Sequence, residues 1–266
     1  MTRPEYAELV AAWRGLRSAG ALGLREVACV GAPRTLLLVD KISHPGAPLV
    51  ALSAGVHGDE PAGPWALLSI VRDGLLDARL NYRIWCCTNP TGYDRGTREN
   101  AEGNDVNRSF NAGGTTPEAR AIVTANRDRR FALAIDLHED FEAEGFYCYE
   151  PLVDGAAPFG AALVRAMDAN GLPVQDLDDD YEIGYPPGAR YLRTLERGRV
   201  LPDAAAERAF FAGTPYSLYL MRKPGTHALT LETPRERMWD ERLAMHRIAV
   251  VAALDGLLSH MKKHAA

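Results

Sequence analysis

The sequence predicts an α/β protein in which helices flank a central sheet. Strand-like runs alternate with helical runs along the chain, which is the pattern that α/β folds produce. Residues 48–54 are apolar on both faces, as expected of a strand buried inside such a sheet. With 266 residues, the chain suits one large domain or at most two small ones.

Composition and charge narrow the class of protein. Apolar residues make up 47% of the chain and charged residues 24%, which is ordinary for a soluble globular protein and excludes a disordered or coiled-coil chain. The net charge is −5, whereas a nucleic-acid-binding protein needs an excess of basic residues on its surface. We therefore expect no nucleic-acid partner.

Neither a membrane anchor nor a disulfide framework is predicted. The longest apolar run, residues 248–258, is interrupted by Asp255 and is shorter than the ~20 residues of a membrane-spanning helix. The N-terminus lacks the apolar core of a signal peptide, and four scattered cysteines are too few for a disulfide scaffold. We expect a cytoplasmic protein with reduced thiols and no membrane contact.

Seven apolar or alternating runs predict strands. They cover residues 24–30, 34–42, 48–54, 82–88, 131–137, 145–149 and 227–231. Two other segments are expected to be long loops, which in compact domains are usually functional. One, residues 92–115, is polar and glycine-rich, and the other, residues 173–215, contains several prolines and the acidic run Asp178 to Asp180. Since charge runs are usually solvated, we favour a solvated loop over a pocket wall for that run.

Five helical segments fill the spaces between the strands. Three of them begin with a capping-box pattern, in which Thr2, Thr115 or Thr233 is followed three residues later by Glu. A turn signal, Asn89-Pro-Thr-Gly92, follows the fourth strand. The predicted helices cover residues 2–17, 60–76, 115–130, 156–169 and 233–263.

A histidine and a glutamate follow the apolar strand at 48–54. His57 and Glu60 are three residues apart, and both side-chain types are good zinc ligands. Such pairs are common on protein surfaces by chance. Here, however, glycines flank the histidine and place it in a tight turn at the carboxyl edge of the sheet, where open α/β sheets bind ligands.

His138 closes the predicted strand at 131–137 and is the third candidate zinc ligand. With His57 and Glu60 it makes a His₂Glu group, which in zinc enzymes leaves one position open for water. Asp136 shares a face with His138, since the two are two residues apart on a strand, and it can orient a metal ligand. The alternatives are a structural histidine and an aspartate that binds nearby backbone.

Two further groups can supply a base and anion-binding side chains. Glu232 ends an apolar strand and can act as a general base beside a metal-bound water, although alone it is better explained by the dipole of the next helix. Arg98 can stabilise an oxyanion, and Arg108 presents a fork that matches a carboxylate, with Asn107 adding an amide donor. For the loop residues, the alternative is a solvated polar segment.

The order of these motifs resembles the zinc carboxypeptidases and their relatives, the succinylglutamate desuccinylases and aspartoacylases. The similarity spans roughly residues 45 to 240, and the ordered set is more specific than any one motif. The matching segments are His57-Gly-Asp-Glu60, Asn89-Pro-Thr-Gly92, Arg98, Asp105-Val-Asn107-Arg108, Asp136-Leu-His138 and Thr230-Leu-Glu232-Thr-Pro234.

The resemblance implies a fold, a cofactor and roles for the site residues. It implies one catalytic domain over residues 1–266, built on a mixed eight-stranded sheet flanked by helices. It also implies one Zn²⁺ and a substrate-closing tyrosine from a mobile loop, for which Tyr216 and Tyr219 are the candidates, with Tyr185 and Tyr191 further away. The implied roles are zinc binding by His57, Glu60 and His138, catalysis by Glu232 and Arg98, and substrate binding by Asn107, Arg108 and Tyr216.

Two substrate classes fit this chemistry. One is a small peptide or peptide-like molecule with a free carboxylate, and the other is an N-acyl amino acid; Arg108 does not separate them, since both carry a carboxylate. The Asp-Leu-His motif favours the desuccinylase branch. The single long helix after Glu232, where that branch usually adds a β domain, favours the carboxypeptidases.

Other classes are less favoured. A non-catalytic metal- or ligand-binding module would be expected to have lost a ligand or the base, and none is missing. The sequence contains neither the GxSxG elbow of serine hydrolases nor a glycine-rich phosphate loop after a strand.

Overall fold

A mixed sheet of nine strands organises the computed structural model, which describes residues 4–18, 22–111, 113–151, 159–177, 193–202 and 213–264. The spatial order of the strands is β1-β2-β4-β3-β5-β9-β6-β8-β7. Their bounds are β1 Gly23–Val27, β2 Leu36–Lys41, β3 Leu49–Ala54, β4 Asn81–Trp85, β5 Leu133–Asp140, β6 Tyr147–Tyr149, β7 Arg193–Glu196, β8 Arg199–Pro202 and β9 His227–Pro234.

Four strands at the centre of the sheet run parallel. β3 pairs with β4 and β5, and β5 pairs with β9, all in the same direction. β2 and β6 flank this centre in antiparallel pairing. The carboxyl ends of β3, β5 and β9 therefore meet at one edge, where the sequence predicts the polar residues.

Helices cover both faces of the sheet, as the apolar character of the central strands requires. One core lies between the sheet and α1, α2, α5 and α7, and the other lies beneath α4 and α6. The helices are α1 Tyr6–Ser18, α2 Ala62–Arg72, α3 Pro90–Arg95, α4 Pro117–Ala125, α5 Gly160–Ala169, α6 Tyr216–Met221 and α7 Trp239–His264.

The C-terminal helix α7 belongs to the core. Its 26 residues are long and apolar enough to cross a membrane by length and composition. However, Met245, Ala249, Ala253 and Leu257 are buried, and the helix packs against α2 and α5. Burial between other helices explains its apolar residues.

The predicted α/β fold with a mixed sheet flanked by helices is confirmed, but within the described residues the sheet has nine strands and not eight. All seven predicted strands are present, and β7 and β8 add a hairpin inside the segment predicted to be irregular. Its turn contains Arg197 and Gly198, and Gly198 has a φ of +68° that favours glycine. This Arg-Gly turn between two short runs was the available signal for the hairpin.

Several predicted helix starts are wrong by a few residues because tertiary contacts recruit the capping side chains. Thr116, not Thr115, caps α4, and Glu118 accepts from Asn100. Thr233 continues β9, so α7 begins at Trp239. α2 begins at Ala62 and not at residue 60.

Two further differences concern the segments around these helices. The predicted turn at 89–92 is the start of α3, where the Asn89 side chain accepts from the Gly92 N–H. The start predicted for the first helix, Thr2, and residues 156–158 of the fourth predicted helix lie outside the described residues.

The loop that carries His57 is held by a close backbone contact. A Cβ atom at Gly58 would lie 1.9 Å from the carbonyl carbon of Gly92 in α3. Gly92 is itself packed on Asn89, since a Cβ there would lie 2.4 Å from the Asn89 Nδ2 atom. Both contacts require glycine, and together they fix the loop after β3 against α3.

Gly58→Ala should therefore destabilise the protein, because the added methyl group meets backbone that cannot rotate away. We expect a loss of about 1–3 kcal/mol in the free energy of unfolding, measured by denaturant titration. The control is Gly15→Ala in α1, where a Cβ meets nothing within 4 Å and where alanine should stabilise by about 0.5–1 kcal/mol. Equal unfolding free energies for Gly58→Ala and the wild type would contradict the contact.

Candidate metal centre

The register of three neighbouring strands places polar side chains on one face of the sheet. His138 of β5 pairs with Glu232 of β9, and Glu232 pairs with Tyr147 of β6. Because register partners on adjacent strands point to the same face, these three side chains stand side by side. Both β5 and β9 run to residue positions beyond the predicted ends, so His138 and Glu232 lie within strands and not after them.

This polar face forms the wall of a cavity of about 340 Å³. The cavity lies at the carboxyl edge of β3, β5 and β9, and residues from the loop after α3, from β6 and from the start of α6 complete it. Its lining includes the predicted His57, Glu60, Arg98, Asn107, Arg108, His138 and Glu232.

Three ligand-type side chains converge in this cavity. The Glu60 carboxylate lies between the histidines, with Oε1 2.6 Å from the Nδ1 atom of His57 and Oε2 2.9 Å from the Nδ1 atom of His138. All three residues are at least 95% buried, and their ligand atoms lie within 4.8 Å of one another. Two imidazoles and one carboxylate that face a cavity fit a catalytic zinc site, since a fourth position remains for water.

Each histidine has a carboxylate behind its Nε2 atom, which leaves Nδ1 for a metal. The Nε2 atom of His138 is 3.1 Å from Asp136, whose other oxygen accepts a hydrogen bond from Ser53 Oγ at 2.6 Å. The Nε2 atom of His57 is 3.5 Å from Asp105. The orienting position of Asp136 agrees with the sequence hypothesis. That of Asp105 was missed, although Asp105 stands two residues before Asn107 in the matching motif.

The buried charges shift one another's protonation. Burial alone would raise the pKa of Glu60, but His57 and His138 outweigh it and hold that pKa well below its usual range. Burial raises the pKa of Glu232 well above its usual range; His138 opposes this and Glu60 adds to it. A divalent cation at the three ligands would favour the ionised form of Glu232, because opposite charges lower a carboxyl pKa.

Arg98 reaches the cluster from the loop after α3. Its Nε and Nη2 atoms donate to Asp105 at 3.2 and 3.0 Å, and its Nη1 atom is 3.3 Å from the Nδ1 atom of His57. The Arg98 side chain is 42% exposed and lines the cavity. This arrangement can donate hydrogen bonds to an oxygen that develops negative charge there.

Asn107 and Arg108 lie on a 3₁₀ turn, Val106–Arg108, that Asp105 caps by accepting from the Asn107 N–H at 2.8 Å. The Asn107 Oδ1 atom accepts from the Tyr216 N–H at 2.9 Å. A Cβ at Gly213 would lie 2.2 Å from the Arg108 carbonyl oxygen, so the two loops pack backbone against backbone. These contacts hold both candidate substrate-binding residues at the cavity.

The structure does not bring the Tyr216 side chain to the cavity. Tyr216 is 1% exposed, and its ring packs at 4.8 Å from that of Phe110 in the core beneath α4 and α6. Tyr219 also stacks on Phe110, at 5.9 Å. The reason is the helical spacing of α6, which turns both rings toward the apolar neighbours of the sheet.

Two other tyrosines, both missed from the sequence, line the cavity. Tyr147 and Tyr149 alternate along β6 and face the side that carries Glu232 and Thr230. The Tyr147 hydroxyl donates to Asp140 at 2.7 Å. The Tyr-Cys-Tyr alternation within the strand predicted at 145–149 was the available signal, because it places both tyrosines on one face. Tyr185, Tyr191 and the acidic run at 178–180 lie outside the described residues.

Glu139 follows the metal-ligand candidate His138 but points to the opposite face of β5. Its carboxylate accepts from the Ala62 N–H at 2.7 Å and from Arg242. Burial raises its pKa to about 7, and Arg242 opposes that shift. The Glu139 carboxylate thus caps the start of α2, since Ala62 is the first residue of that helix.

Comparisons with known proteins agree with this geometry. Residues 47–177 match the Succinylglutamate desuccinylase/Aspartoacylase catalytic domain. A search of curated proteins returns no match. The resemblance predicted from the motif order is thereby confirmed.

Solved structures similar to this chain include a protein from Shewanella amazonensis SB2B that is provisionally named a metallopeptidase. It is 24% identical with a TM-score of 0.73, and the match covers 95% of this chain and 92% of the other chain. A metallo-carboxypeptidase from Burkholderia cenocepacia matches at 18% identity and a TM-score of 0.65, and the match covers 95% of this chain and 68% of the other chain. A metallo-carboxypeptidase from Pseudomonas aeruginosa, solved in complex with (2-guanidinoethylmercapto)succinic acid, matches at 16% identity and a TM-score of 0.63. That match covers 96% of this chain and 68% of the other chain. The fold is therefore carboxypeptidase-like.

Removal of either histidine should abolish metal binding. We expect about one zinc ion per wild-type chain by elemental analysis of purified protein, and almost none in His57→Ala or His138→Ala, because two ligands rarely hold a catalytic zinc. His44→Ala is the control, since His44 is exposed and lies outside the cavity. Zinc retained in both active-site variants would contradict the assignment.

Proposed function

We propose that this chain, whose residues 47–177 match the Succinylglutamate desuccinylase/Aspartoacylase catalytic domain, is a zinc-dependent hydrolase of amide bonds. It acts as a carboxypeptidase does, on a small peptide or peptide-like substrate with a free carboxylate. One observation carries the proposal: Glu232 stands in register with His138 inside the cavity that His57 and Glu60 also line. Ligands and base thus share one site.

The residues of the site have separate roles in this reaction. His57, Glu60 and His138 would hold a zinc ion, which when bound would act as a Lewis acid and lower the pKa of a water molecule. Glu232 accepts a proton from the attacking water and delivers it to the amine nitrogen that leaves. Arg98 donates hydrogen bonds to the carbonyl oxygen as negative charge develops on it.

Asn107 and Arg108 bind the carboxylate of the substrate in the proposed reaction. The guanidinium fork of Arg108 matches a carboxylate, and the packing of the 3₁₀ turn against residues 213–216 holds it at the cavity. The similar enzyme from Pseudomonas aeruginosa is solved with a succinic acid derivative. A carboxylate-bearing ligand in that protein supports the same class of ligand here.

The alternative is an N-acyl amino acid deacylase with the same catalytic parts. The match of residues 47–177 to a desuccinylase and aspartoacylase domain favours it. A non-catalytic binding module is less favoured, because the three ligands, Glu232 and Arg98 are all present at one cavity.

Glu232→Gln should abolish turnover while zinc remains bound. The amide cannot accept a proton, and the loss of a general base typically lowers kcat by about 10²–10⁴-fold. The control is Glu144→Gln, since Glu144 is exposed and does not line the cavity. Wild-type turnover in Glu232→Gln, measured on any substrate that the protein cleaves, would exclude Glu232 as the base.

Product analysis on a dipeptide library and a panel of N-acyl amino acids should separate the two substrate classes. Release of a C-terminal amino acid from dipeptides is expected, and Arg108→Gln should raise KM roughly 10- to 100-fold, as the loss of a charged hydrogen bond predicts. Cleavage of the N-acyl panel alone would favour the deacylase. Cleavage of neither panel would count against both.

A further inference from the structure

The C-terminal helix α7 contacts the sheet directly behind the candidate metal centre. Two residues one turn apart make the contacts: Arg242 donates to the Glu139 carboxylate, and His246 Nε2 lies 3.1 Å from Thr233 Oγ1. Glu139 and Thr233 are register partners on β5 and β9. Each is the residue immediately after a site residue, His138 and Glu232 respectively.

Glu139 contacts both the side chain of the candidate metal ligand Glu60 and the backbone that follows it; we call these two contacts the bracket. The backbone N–H of Glu139 donates to the Glu60 Oε2 atom at 3.1 Å. The side chain of Glu139 accepts from the N–H of Ala62, two residues after Glu60, at 2.7 Å. One residue of β5 therefore binds both the carboxylate of Glu60 and the backbone just beyond it.

Arg242 provides the charge that makes this bracket possible. The Glu139 side chain is fully buried, and that of Arg242 is 13% exposed. Arg242 also lies over the ring of Trp239, with its guanidinium carbon 5.1 Å from the ring centre. A buried carboxylate next to a second one is costly without a cation, because both desolvation and repulsion oppose it.

We propose that Arg242 and Glu139 are positioning residues, which fix the Glu60 carboxylate in the orientation that binds zinc. The proposal rests on the proposed function, in which Glu60 is a zinc ligand. Without Arg242, the buried Glu139 side chain loses the cation that holds it in place, and the bracket around residues 60–62 loosens. The helix that ends the described chain thus contributes to a metal site that it does not enter.

A second ion pair on the same helix provides a matched comparison. Arg247 donates to Asp73 at 2.6 Å, and Asp73 is the residue after the last turn of α2. Arg242 ties α7 to β5 beside Glu60, whereas Arg247 ties α7 to the far end of α2. Arg247→Gln therefore reports how the loss of a helix-docking ion pair away from Glu60 affects zinc binding.

Zinc affinity of the full-length protein tests the proposal, measured by competition with a chromophoric chelator. Arg242→Gln should weaken zinc binding by about 10- to 100-fold, the range found for groups that orient metal ligands. Arg242→Lys should lose less, because lysine keeps the charge but not the fork. Arg247→Gln should bind zinc like the wild type.

A double-mutant cycle tests whether Arg242 acts through Glu139. Glu139→Gln should also weaken zinc binding. The double variant Glu139→Gln with Arg242→Gln should bind zinc as tightly as the weaker-binding single variant, because both substitutions remove the same contact between Arg242 and Glu139. Additive losses would overturn the idea that the two act together. Should Arg242→Gln fail to fold, Arg242→Lys and Glu139→Gln carry the same test.

The outcomes separate this proposal from the function on which it rests. Wild-type zinc affinity in Arg242→Gln, or equal losses in Arg242→Gln and Arg247→Gln, would overturn the positioning role and leave the zinc site intact. A wild-type protein that binds no zinc would contradict the proposed function, and the positioning role with it.

Discussion

The parallel pairing of β5 with β9 is the constraint on which the site depends. Its register sets His138 opposite Glu232 and Asp136 opposite Thr230. A slip by one residue would turn every side chain of one strand to the other face. The apolar partners Ile135 and Leu229, which alternate with these polar residues, are buried in the core under α2 and α7 and prevent such a slip.

Buried charge is the second requirement of this architecture, and each group is compensated locally. Glu60 has two histidines and the Glu139 N–H around its carboxylate. The carboxylate of Glu139 receives Arg242, and Asp136 receives Ser53. Because an unpaired buried charge is costly, these contacts make the ligands, the strand ends and α7 interdependent. The same side-chain contacts thus provide both the packing and the charge compensation at this edge of the sheet.

The relation to known proteins reflects two different kinds of information. The sequence match covers residues 47–177, which carry His57, Glu60, Arg98 and His138 but not Glu232. The structural similarity covers 95% of the chain. Glu232 joins the candidate site through its register with His138 and not through the sequence match, and Tyr147 and Tyr149 line the same cavity.

The sequence by itself determined the fold class, the central strands and the residues that meet at the metal centre. These depend on local patterns: an apolar strand followed by a glycine-flanked His57, and a strand that leads to His138. Only the tertiary structure decided which tyrosines reach the cavity, since Tyr216 and Tyr147 look alike in sequence but face a core and a cavity. It also decided the contacts of Asp105 and Arg242, because their partners lie 48 and 103 residues away along the chain. Local propensity cannot specify such contacts, which arise only when the register of the sheet brings distant segments together.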